Sequence, residues 1–408
     1  MFALNAFSAF SKAAFAPRCR MHPGKMVFAQ VMDWIHSEQF RRCVARFQGQ
    51  DQARHFSCWD QFLAMSFAQL TSRESLADIE ACLNSRQDQL YHLGFRARGA
   101  HSTLADANRD RDWRIYADLA QGLITRARRL YAGDPIGVGL AETVYALDST
   151  TIDLCLSLFP SARFRAAKGA IKLHTLLDLR GPIPTMISIS DGKPADVRVL
   201  DELLPEPGAF YVMDRGYLDF SRLYRFVLAG AYFVTRAKAG VQLKRLESRP
   251  VDPATGFRSN QVVWVARAPS VAHYPERFRR IGFRDPDSGH GLVFLTNNFD
   301  LPAPVVTKLY KGRWQVELFF KCIKQNLRIK HFFGTSDNAV KTQVWIAICV
   351  YLLVAILRKE LHLEISLSRL PQILSVNVFE TTPLPQLVAN ATSPDREPAV
   401  CNQWILWD

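Results

Sequence analysis

The first third of the chain has the hydrophobic pattern of helices. Between residues 26 and 130, apolar residues recur three or four positions apart, as Phe28, Val31 and Ile35 do in the first segment. This spacing places them on one face of a helix and leaves polar residues on the other. We therefore predict a small helical N-terminal domain over residues 26–135, whose first helix covers residues 27–42.

After residue 140, short apolar runs separated by turns replace the helical spacing. Several of these runs predict strands, and two stretches between them predict helices. The predicted strands are 144–147, 171–179, 183–189, 209–213 and 231–235, and the predicted helices are 197–204 and 220–228. Strands that first follow one another and then alternate with helices indicate a mixed α/β sheet.

The last third contains a β-rich segment followed by two long helical patterns. Short strand-like pieces between turn clusters predict a β-rich insertion at residues 239–300. A helical pattern then runs from Pro304 to about residue 330, and a more apolar helix is predicted at 340–361. Several prolines follow Thr381, so we expect a loose tail there.

The chain is strongly basic. It contains 51 Lys and Arg against 38 Asp and Glu, which gives a net charge of +13 and a pI near 9.5. This excess favours an anionic partner, of which nucleic acid is the commonest. In the N-terminal region, Arg41, Arg42, Arg46 and Arg54 either contact DNA or form an ordinary solvated surface, and the sequence favours neither.

Composition and motifs exclude several classes of protein. The longest uncharged apolar run, residues 344–357, is shorter than the about 20 residues of a membrane-spanning helix, so we predict a buried core helix. The eight cysteines include no Cys-x-x-Cys pair, and no His-Glu-x-x-His motif occurs. These absences argue against a zinc ribbon, a disulfide scaffold and a zinc hydrolase. Scattered cysteines fit a reducing cytoplasm.

The first twenty residues differ from the rest of the chain. They are rich in Ala and Phe and contain Lys12, Arg18 and Arg20 but no acid. This composition resembles a transit peptide. We instead expect residues 1–25 to be a flexible tail or the product of an upstream start codon, with Met21 or Met26 as the natural start.

Two aspartates share one setting. Asp148 and Asp214 each follow a short apolar run and begin a polar turn. If the two runs are neighbouring strands that point the same way, both carboxylates lie at one edge of the sheet. Carboxylates at close range repel one another unless a cation compensates them, and a divalent ion such as Mg²⁺ does so through oxygen ligands.

A third acid stands out in the helical pattern after Pro304. Glu317 is the only acid between Pro302 and Lys330. On a helical wheel it shares an arc of about 100° with six cationic or aromatic residues. These residues are Tyr310, Arg313, Trp314, Lys321, Lys324 and Arg328, while Val316, Phe319, Phe320, Ile323 and Leu327 form a separate apolar face. The charged face is either a solvated ion-pair surface or a surface that binds an external anion such as phosphate.

These acids fall within three motifs that together resemble a DDE transposase of the bacterial insertion-sequence-four family. The motifs are Asp148-Ser149-Thr150-Thr151, Asp214-Arg215-Gly216-Tyr217 and Tyr310-x2-Arg313-x3-Glu317-x6-Lys324. The third matches the family's Tyr-Arg-Glu-Lys signature in residue type and spacing. The resemblance covers about residues 26–365. It includes residues 56–61, which resemble the N-terminal domain of one branch of the family.

The resemblance implies a ribonuclease-H-like core with a β-rich insertion between the second Asp and the Glu. The implied order is a helical domain at 26–135 that could read DNA ends, core segments at 140–238 and 301–365 on either side of the insertion, and a C-terminal tail at 366–408. Sixty-six residues separate Asp148 from Asp214 and 103 separate Asp214 from Glu317, so the extra length falls where the insertion is predicted.

The implied chemistry is metal-assisted cleavage and joining of DNA strands. Asp148, Asp214 and Glu317 would be the catalytic acids and would hold two Mg²⁺ or Mn²⁺ ions. Cleavage at the ends of the mobile element would precede attack of the freed 3′-hydroxyl on target DNA. Family members act as dimers on paired ends, and we expect this protein to act at the bacterial nucleoid.

The resemblance also implies a set of DNA contacts. Tyr310, Arg313 and Lys324 would bind phosphates near the cleaved end. Trp314 either stacks on an unpaired base or packs in the core, and Arg215 either touches the DNA backbone or forms a structural ion pair. Lys321 and Arg328 lie on the same cationic face.

Several other residues compete for roles near the first acid. Lys168 and His174 are close to it in sequence, and we rank His174 as a weaker candidate because it alternates with leucines on a predicted strand. The competing acids are Asp153, Asp178, Asp191 and Asp196. Two other functions stay open, a DNA-binding relative without catalysis and a metal nuclease without strand transfer. The signature spacing favours the transposase over the nuclease.

Overall fold

The described part of the chain extends, with gaps, from residue 24 to residue 392. In the computed structural model, the described residues are 24–49, 56–96, 99–154, 163–164, 168–191, 196–266, 272–286, 289–327, 329 and 332–392. The predicted N-terminal tail up to residue 23, the end of the C-terminal tail, Arg54 and Arg328 lie outside these residues.

The N-terminal region is helical, as predicted. Its helices are α1 (Val27–Met32), α2 (Ser37–Arg46), α3 (Cys58–Leu70), α4 (Leu76–Asn84), α5 (His101–Asp110) and α6 (Arg114–Tyr131), with a 3₁₀ helix at Gln87–Leu93. A capping box begins α3, because the side chains of Ser57 and Asp60 each accept a hydrogen bond from the other residue's backbone N–H. The prediction of one helix over 27–42 is wrong. His36 has extended backbone torsions, so the helix stops and α2 begins anew.

The central sheet combines antiparallel and parallel strands. Its antiparallel part consists of β1 (Val144–Leu154), β3 (Lys168–Asp178) and β4 (Ile183–Asp191), with a two-residue strand β2 (Arg163–Phe164) at the start of β3. Two further strands, β5 (Phe210–Met213) and β6 (Tyr232–Arg236), run parallel to β1. The spatial order β4-β3-β1-β5-β6 is that of a mixed sheet, which fits the predicted ribonuclease-H-like core.

The segments that connect these strands agree with the predictions in position but differ in one helix type. A helix α7 (Phe220–Leu228) lies between β5 and β6, as predicted. The helix predicted at 197–204 is present, but as a shorter 3₁₀ helix at Asp196–Asp201. The amide of Glu202 donates to the carbonyl of Val199, which is the three-residue spacing of a 3₁₀ turn.

The predicted β-rich segment continues the same sheet. Its strands β7 (Leu243–Arg249), β8 (Phe257–Val265), β9 (Phe278–Arg284) and β10 (Gly291–Thr296) pair in antiparallel sequence. Strand β10 then pairs antiparallel with β6, so the inserted strands extend the sheet from its parallel edge.

The C-terminal part is helical. Its elements are α8 (Ala303–Gly312), α9 (Trp314–Lys321), a π-helical segment (Cys322–Asn326), α10 (Asp337–Glu360), α11 (Leu370–Val376) and α12 (Leu384–Thr392). The prediction of one continuous helix from Pro304 to residue 330 is wrong, because the amide of Arg313 bonds to Tyr310 in a tight turn. The prediction of a loose tail after Thr381 is also wrong for Leu384–Thr392, which form α12. The amide of Leu384 donates to Gln30 of α1.

Two cores lie on opposite faces of the sheet. The main core contains α10, most other helices and the even-numbered residues Val144 and Ala146 of β1. The second core contains α7 and the odd-numbered residues Tyr145 and Leu147, and residues of the insertion contribute to both cores. Helix α10 is long and apolar enough to cross a membrane, but 94% of its most apolar window is buried in the protein. It is therefore the core helix that the sequence predicts.

Candidate active site

Two aspartates lie at the same end of neighbouring parallel strands. Strands β1 and β5 pair in parallel, with Leu147 opposite Met213, so the next residues are Asp148 and Asp214. The two carboxylates interact electrostatically, which confirms the predicted arrangement. One detail is wrong. Asp148 lies inside β1 because pairing with β3 continues beyond it, whereas Asp214 does begin a turn.

The third acid comes from α9, which packs against β1. Val316, Phe319 and Phe320 of this helix are buried, so the predicted apolar face is confirmed. Glu317 lies on the other face and keeps 43% of its side chain exposed. The turn at Arg313 separates α9 from α8 and places Arg313 one helical turn before Glu317.

The guanidinium of Arg313 contacts two of the three acids. Its Nη1 atom donates to Oδ2 of Asp148 and lies 3.5 Å from Oε1 of Glu317. Its charge also interacts with Asp214, and only 17% of its side chain is exposed. Three carboxylates from three separate elements thus lie around one largely buried cation.

This crowding changes the protonation of Asp148. Burial raises the pKa of Asp148 to about 6, and the charges of Glu317 and Asp214 act in the same direction. Arg313 and the backbone N–H of Ser149 oppose this shift. Burial is thus the main cause of the raised pKa, and the two neighbouring carboxylates add to it while Arg313 counteracts it.

Tyr310 and Lys324 complete the gapped signature at the same place. The hydroxyl of Tyr310 donates to Oδ1 of Asp214 at 3.1 Å, and the Arg313 guanidinium lies 5.8 Å from its ring centre. Lys324 donates from Nζ to the carbonyl of Thr151 on β1 at 2.7 Å. It belongs to the π-helical segment, and such segments occur frequently at functional sites.

The remaining residues predicted to contact DNA have mixed placements. Trp314 has 63% of its surface exposed, so the alternative that it packs in the core is wrong. Lys321 and Arg215 are also exposed, and no ion pair of Arg215 occurs among the contacts described for this part of the chain. Arg328 lies outside the described residues.

Two of the competing residues, His174 and Asp178, lie apart from the first acid. His174 is buried on the sheet face opposite Asp148, and Asp178 lies three positions along β3 from Thr175, the residue that pairs with Asp148. The side chains of Lys168, Asp153 and Asp191 lie outside what the structure describes.

One competing acid, Asp196, has a position that the sequence did not indicate. It lies behind the first acid, where its Oδ1 accepts a hydrogen bond from the hydroxyl of Ser149 at 2.9 Å. Lys172 of β3 donates to the same oxygen at 2.8 Å. Only the alternation of side chains on β1 and β3 hints at this contact, since Asp196 is far from both in sequence.

The chemistry of the three acids suits a hard divalent cation, because carboxylate oxygens are the ligands such ions prefer. Within the described ranges, no three carboxylate, imidazole or thiol groups are arranged to hold a metal ion as they stand. Arg313 contacts Asp148 and Glu317 in this arrangement. In chemical type the three donors suit a metal ion, while in this structure Arg313 occupies two of them.

Comparison with known proteins agrees with this geometry. Residues 139–353 match the family model described as transposase DDE domain, and residues 23–96 match a domain of unknown function (DUF4372). The protein named transposase y4zB of Sinorhizobium fredii is 30% identical over 68% of this chain and 77% of its own length. A transposase for insertion sequence element IS4SA from Synechocystis is 25% identical over 63% of this chain and 71% of its own length.

A solved structure of piggyBac transposase in a synaptic complex with hairpin DNA is a more distant likeness. It covers 91% of this chain and 82% of that chain, with 11% identity and a TM-score of 0.45. The DDE domain match spans more than half of the 408 residues and includes all three acids. The chain therefore belongs to the family of DDE transposases of the insertion-sequence-four type, and the predicted resemblance and ribonuclease-H-like fold class are confirmed.

Proposed function

We propose that Asp148, Asp214 and Glu317 are the catalytic acids of this transposase. The observation that carries the proposal is their convergence from β1, the turn after β5 and α9 onto the single guanidinium of Arg313. The three acids are 66 and 103 positions apart in sequence, and the stability of the fold alone does not require three like charges to lie together. A shared cationic ligand explains the arrangement.

Membership of the family implies dependence on divalent metal ions and a DNA partner. The finer proposal is that the three carboxylates hold two Mg²⁺ or Mn²⁺ ions. Such ions would lower the pKa of the attacking water or 3′-hydroxyl and stabilise the leaving oxygen. The carboxylates of this chain would fix the distance between attacking and leaving groups, and the partly exposed Glu317 would face the incoming DNA.

Tyr310, Arg313 and Lys324 are proposed to bind the DNA backbone near the cleaved bond. Arg313 is bound to Asp148 without DNA, so its guanidinium is a counter-charge that holds the acids together. A phosphate, like a carboxylate, offers two oxygens that can accept a bidentate pair of hydrogen bonds from one guanidinium. The transfer of Arg313 from Asp148 to a phosphate would therefore open the acid site and secure the DNA in one step.

The exposed residues beside Glu317 extend this surface. Trp314 presents its ring to solvent next to the cationic turn, where it can stack on an unpaired base. Lys321 and Arg215 add positive charge near the two acid motifs. These contacts would position the DNA strand, and they carry no information on its sequence.

The assembly on DNA remains part of the proposal. We expect a homodimer on paired inverted repeats, acting in the bacterial cytoplasm at the nucleoid, with the helical N-terminal region reading the ends. The N-terminal arginines do not all favour this reading. Arg46 pairs with Asp118 at 2.7 Å and Arg41 with Glu38 at 2.7 Å, so both are partly neutralised within the protein.

A cleavage assay tests the proposed function. The substrate is a DNA fragment that carries the gene's own flanking sequence, and wild type is compared with Glu317→Ala in Mg²⁺ or Mn²⁺. We expect metal-dependent nicking at the repeat boundary that the variant lacks. Binding without nicking would instead identify a catalytically silent DNA-binding relative, and nicking at random positions would identify a plain nuclease.

A further inference from the structure

A polar cluster lies behind the first acid, on the opposite face of the sheet. We define the rear cluster as Ser149, Lys172, His174 and Asp196. Ser149 follows Asp148 on β1 and pairs with His174 of β3, while Thr151 pairs with Lys172. Because side chains alternate along a strand, Asp148 points toward α9 and Ser149 points to the other face.

We propose that Asp196 is a positioning residue of the active site, which acts through Ser149 to fix the carboxylate of Asp148. This inference rests on the proposed role of Asp148 and deepens it. It assigns a function to an acid that lies outside the three family motifs.

The contact path consists of two consecutive hydrogen bonds. The backbone N–H of Ser149 donates to Oδ1 of Asp148 at 2.8 Å. The hydroxyl of the same serine donates to Oδ1 of Asp196 at 2.9 Å. Ser149 therefore holds the catalytic carboxylate with its main chain while its side chain is held from behind. The other carboxylate oxygen of Asp148 remains available to Arg313.

The rear cluster also fixes Asp196 itself. Lys172, with 19% of its side chain exposed, donates to Oδ1 of Asp196 at 2.8 Å. The ring of His174 is 4% exposed and lies 4.0 Å from the same oxygen, while its other nitrogen is 3.0 Å from the hydroxyl of Ser190. Since these partners come from β3 and Ser149 comes from β1, Asp196 ties the start of its 3₁₀ helix to the strand that carries Asp148 and to the neighbouring strand β3.

The cluster reaches the second acid motif as well. Tyr217, three residues after Asp214, is buried. Burial raises the pKa of its hydroxyl, the charges of Asp148 and Asp196 act in the same direction, and Ser149 opposes them. The residues that follow each of the two aspartates thus meet at one place. A displacement of Ser149 would therefore disturb the relative position of both acids, which is what a two-carboxylate site must keep constant.

A surface ion pair is the alternative explanation, and Asp201 shows what one looks like. It lies at the other end of the same 3₁₀ helix and pairs with Arg222 at 2.7 Å, with 51% of its side chain exposed. It contacts Arg222 and Arg225, which belong to α7, and its described contacts do not include β1. Asp201 is therefore a matched control for the loss of an aspartate from this segment.

The test compares Asp196→Ala, Ser149→Ala, the double variant and Asp201→Ala in the full chain. Three quantities are measured: the kcat of DNA cleavage at saturating Mn²⁺, the binding of the DNA end, and the binding of Mn²⁺ alone to the protein without DNA. We expect Asp196→Ala and Ser149→Ala each to lower kcat and Mn²⁺ affinity by about 10- to 100-fold, with DNA binding unchanged. The double variant should be no worse than the worse single variant, because both act on one path.

Asp196→Asn is the conservative variant. Its amide oxygen can still accept from Ser149, so cleavage should return to near the wild-type value although the charge is lost. If Asp196→Ala fails to fold, Ser149→Ala, which removes one hydroxyl, still tests the path. Effects that multiply in the double variant, a loss equal to that of Asp201→Ala, or unchanged Mn²⁺ affinity would overturn the inference.

Asp148→Asn in the same series separates this inference from the proposed function. If Asp148→Asn loses cleavage while the rear-cluster variants keep it, the inference fails and the proposed function stands. If Asp148→Asn retains cleavage, the proposed role of Asp148 itself is wrong, and the inference falls with it.

Discussion

Two largely buried aspartates, each next to an arginine, lie at opposite ends of the short stretch in which β1 pairs in parallel with β5. At one end Asp148 of β1 contacts Arg313, and at the other Asp178 of β3 lies 3.5 Å from Arg128. Burial raises the pKa of both aspartates. By residue type and burial the two pairs are alike, yet we assign catalysis to only one of them.

The difference lies in the neighbours. Asp178 accepts from the backbone N–H of Arg180 at 3.1 Å, and Arg128 also donates to Tyr145, whose hydroxyl donates to Glu206 at 2.7 Å. Each group at that end has a partner within the protein. At the other end Asp148, Asp214 and Glu317 share Arg313, so negative charge is in excess. A buried ion pair is therefore weak evidence for function, whereas an excess of carboxylates around one cation indicates a metal site.

The largest contrast is expected between Asp148→Ala and Asp178→Ala. A metal ligand contributes several kcal/mol to the transition state, so Asp148→Ala should lower cleavage by roughly 10³-fold or more while DNA binding persists. Asp178→Ala should keep cleavage and lower the free energy of unfolding by about 1–3 kcal/mol, because Arg128 loses a buried partner. Cleavage and denaturant unfolding check both. Equal loss of cleavage in the two variants would remove the distinction.

The arginines give the next contrast. Arg313→Ala should weaken binding of the DNA end and lower the slope of log affinity against log salt by about 0.9, because one phosphate contact is lost. It should also strengthen binding of Mn²⁺ in the absence of DNA, since a competing cation leaves the acids. Arg128→Ala should alter only stability. Filter binding over a salt series and Mn²⁺ titration are the measurements, and a changed salt slope in Arg128→Ala would contradict the contrast.

A smaller effect is expected when Lys324 is substituted, with Lys359 as the comparison. Lys324→Ala should reduce the salt slope by about 0.9 with little change in stability. Its control is Lys359→Ala, since Lys359 pairs with Asp134 near the Asp178 end and should leave the slope unchanged. Should both variants show the wild-type slope, Lys324 would belong to the solvated surface of its helix.

The smallest predicted effect is a pH dependence of stability that arises from Asp178. Because the folded-state pKa of Asp178 is raised above that of the unfolded chain, the folded state binds its proton more tightly. The contribution of Asp178 to stability therefore falls as the pH rises from about 4, the unfolded value for aspartate, through the folded pKa. Asp178→Asn should gain stability relative to wild type over this window. Urea unfolding at several pH values would show it, and a constant difference would contradict the assigned pKa direction.

The sequence carried most of the information about the acids, because they lie at places where local patterns change. An apolar run followed by Asp marks the end of β5, and a lone Glu on a cationic helix face is visible on a helical wheel. The parallel pairing of β1 and β5 was an assumption that the structure confirms. Strand alternation and helical spacing are local properties, so one sequence suffices to detect them.

The contacts between distant segments could not be predicted in this way. No local sequence feature predicts that Arg313 interrupts a helix and contacts Asp148, because its φ and ψ remain helical. Asp196 appeared only as one acid among several, because its role depends on Ser149 across the sheet. The docking of α12 on α1 was missed for the same reason, since prolines near Thr381 suggested a loose segment.

The central claim is that the three carboxylates, held around Arg313, form one metal site. Anomalous diffraction from crystals of the protein bound to DNA with Mn²⁺ tests it most directly. We predict Mn²⁺ peaks bounded by Asp148, Asp214 and Glu317, with the Arg313 guanidinium moved from Asp148 to a phosphate. Mn²⁺ located elsewhere, or Arg313 still bound to Asp148 beside an intact DNA end, would contradict the account.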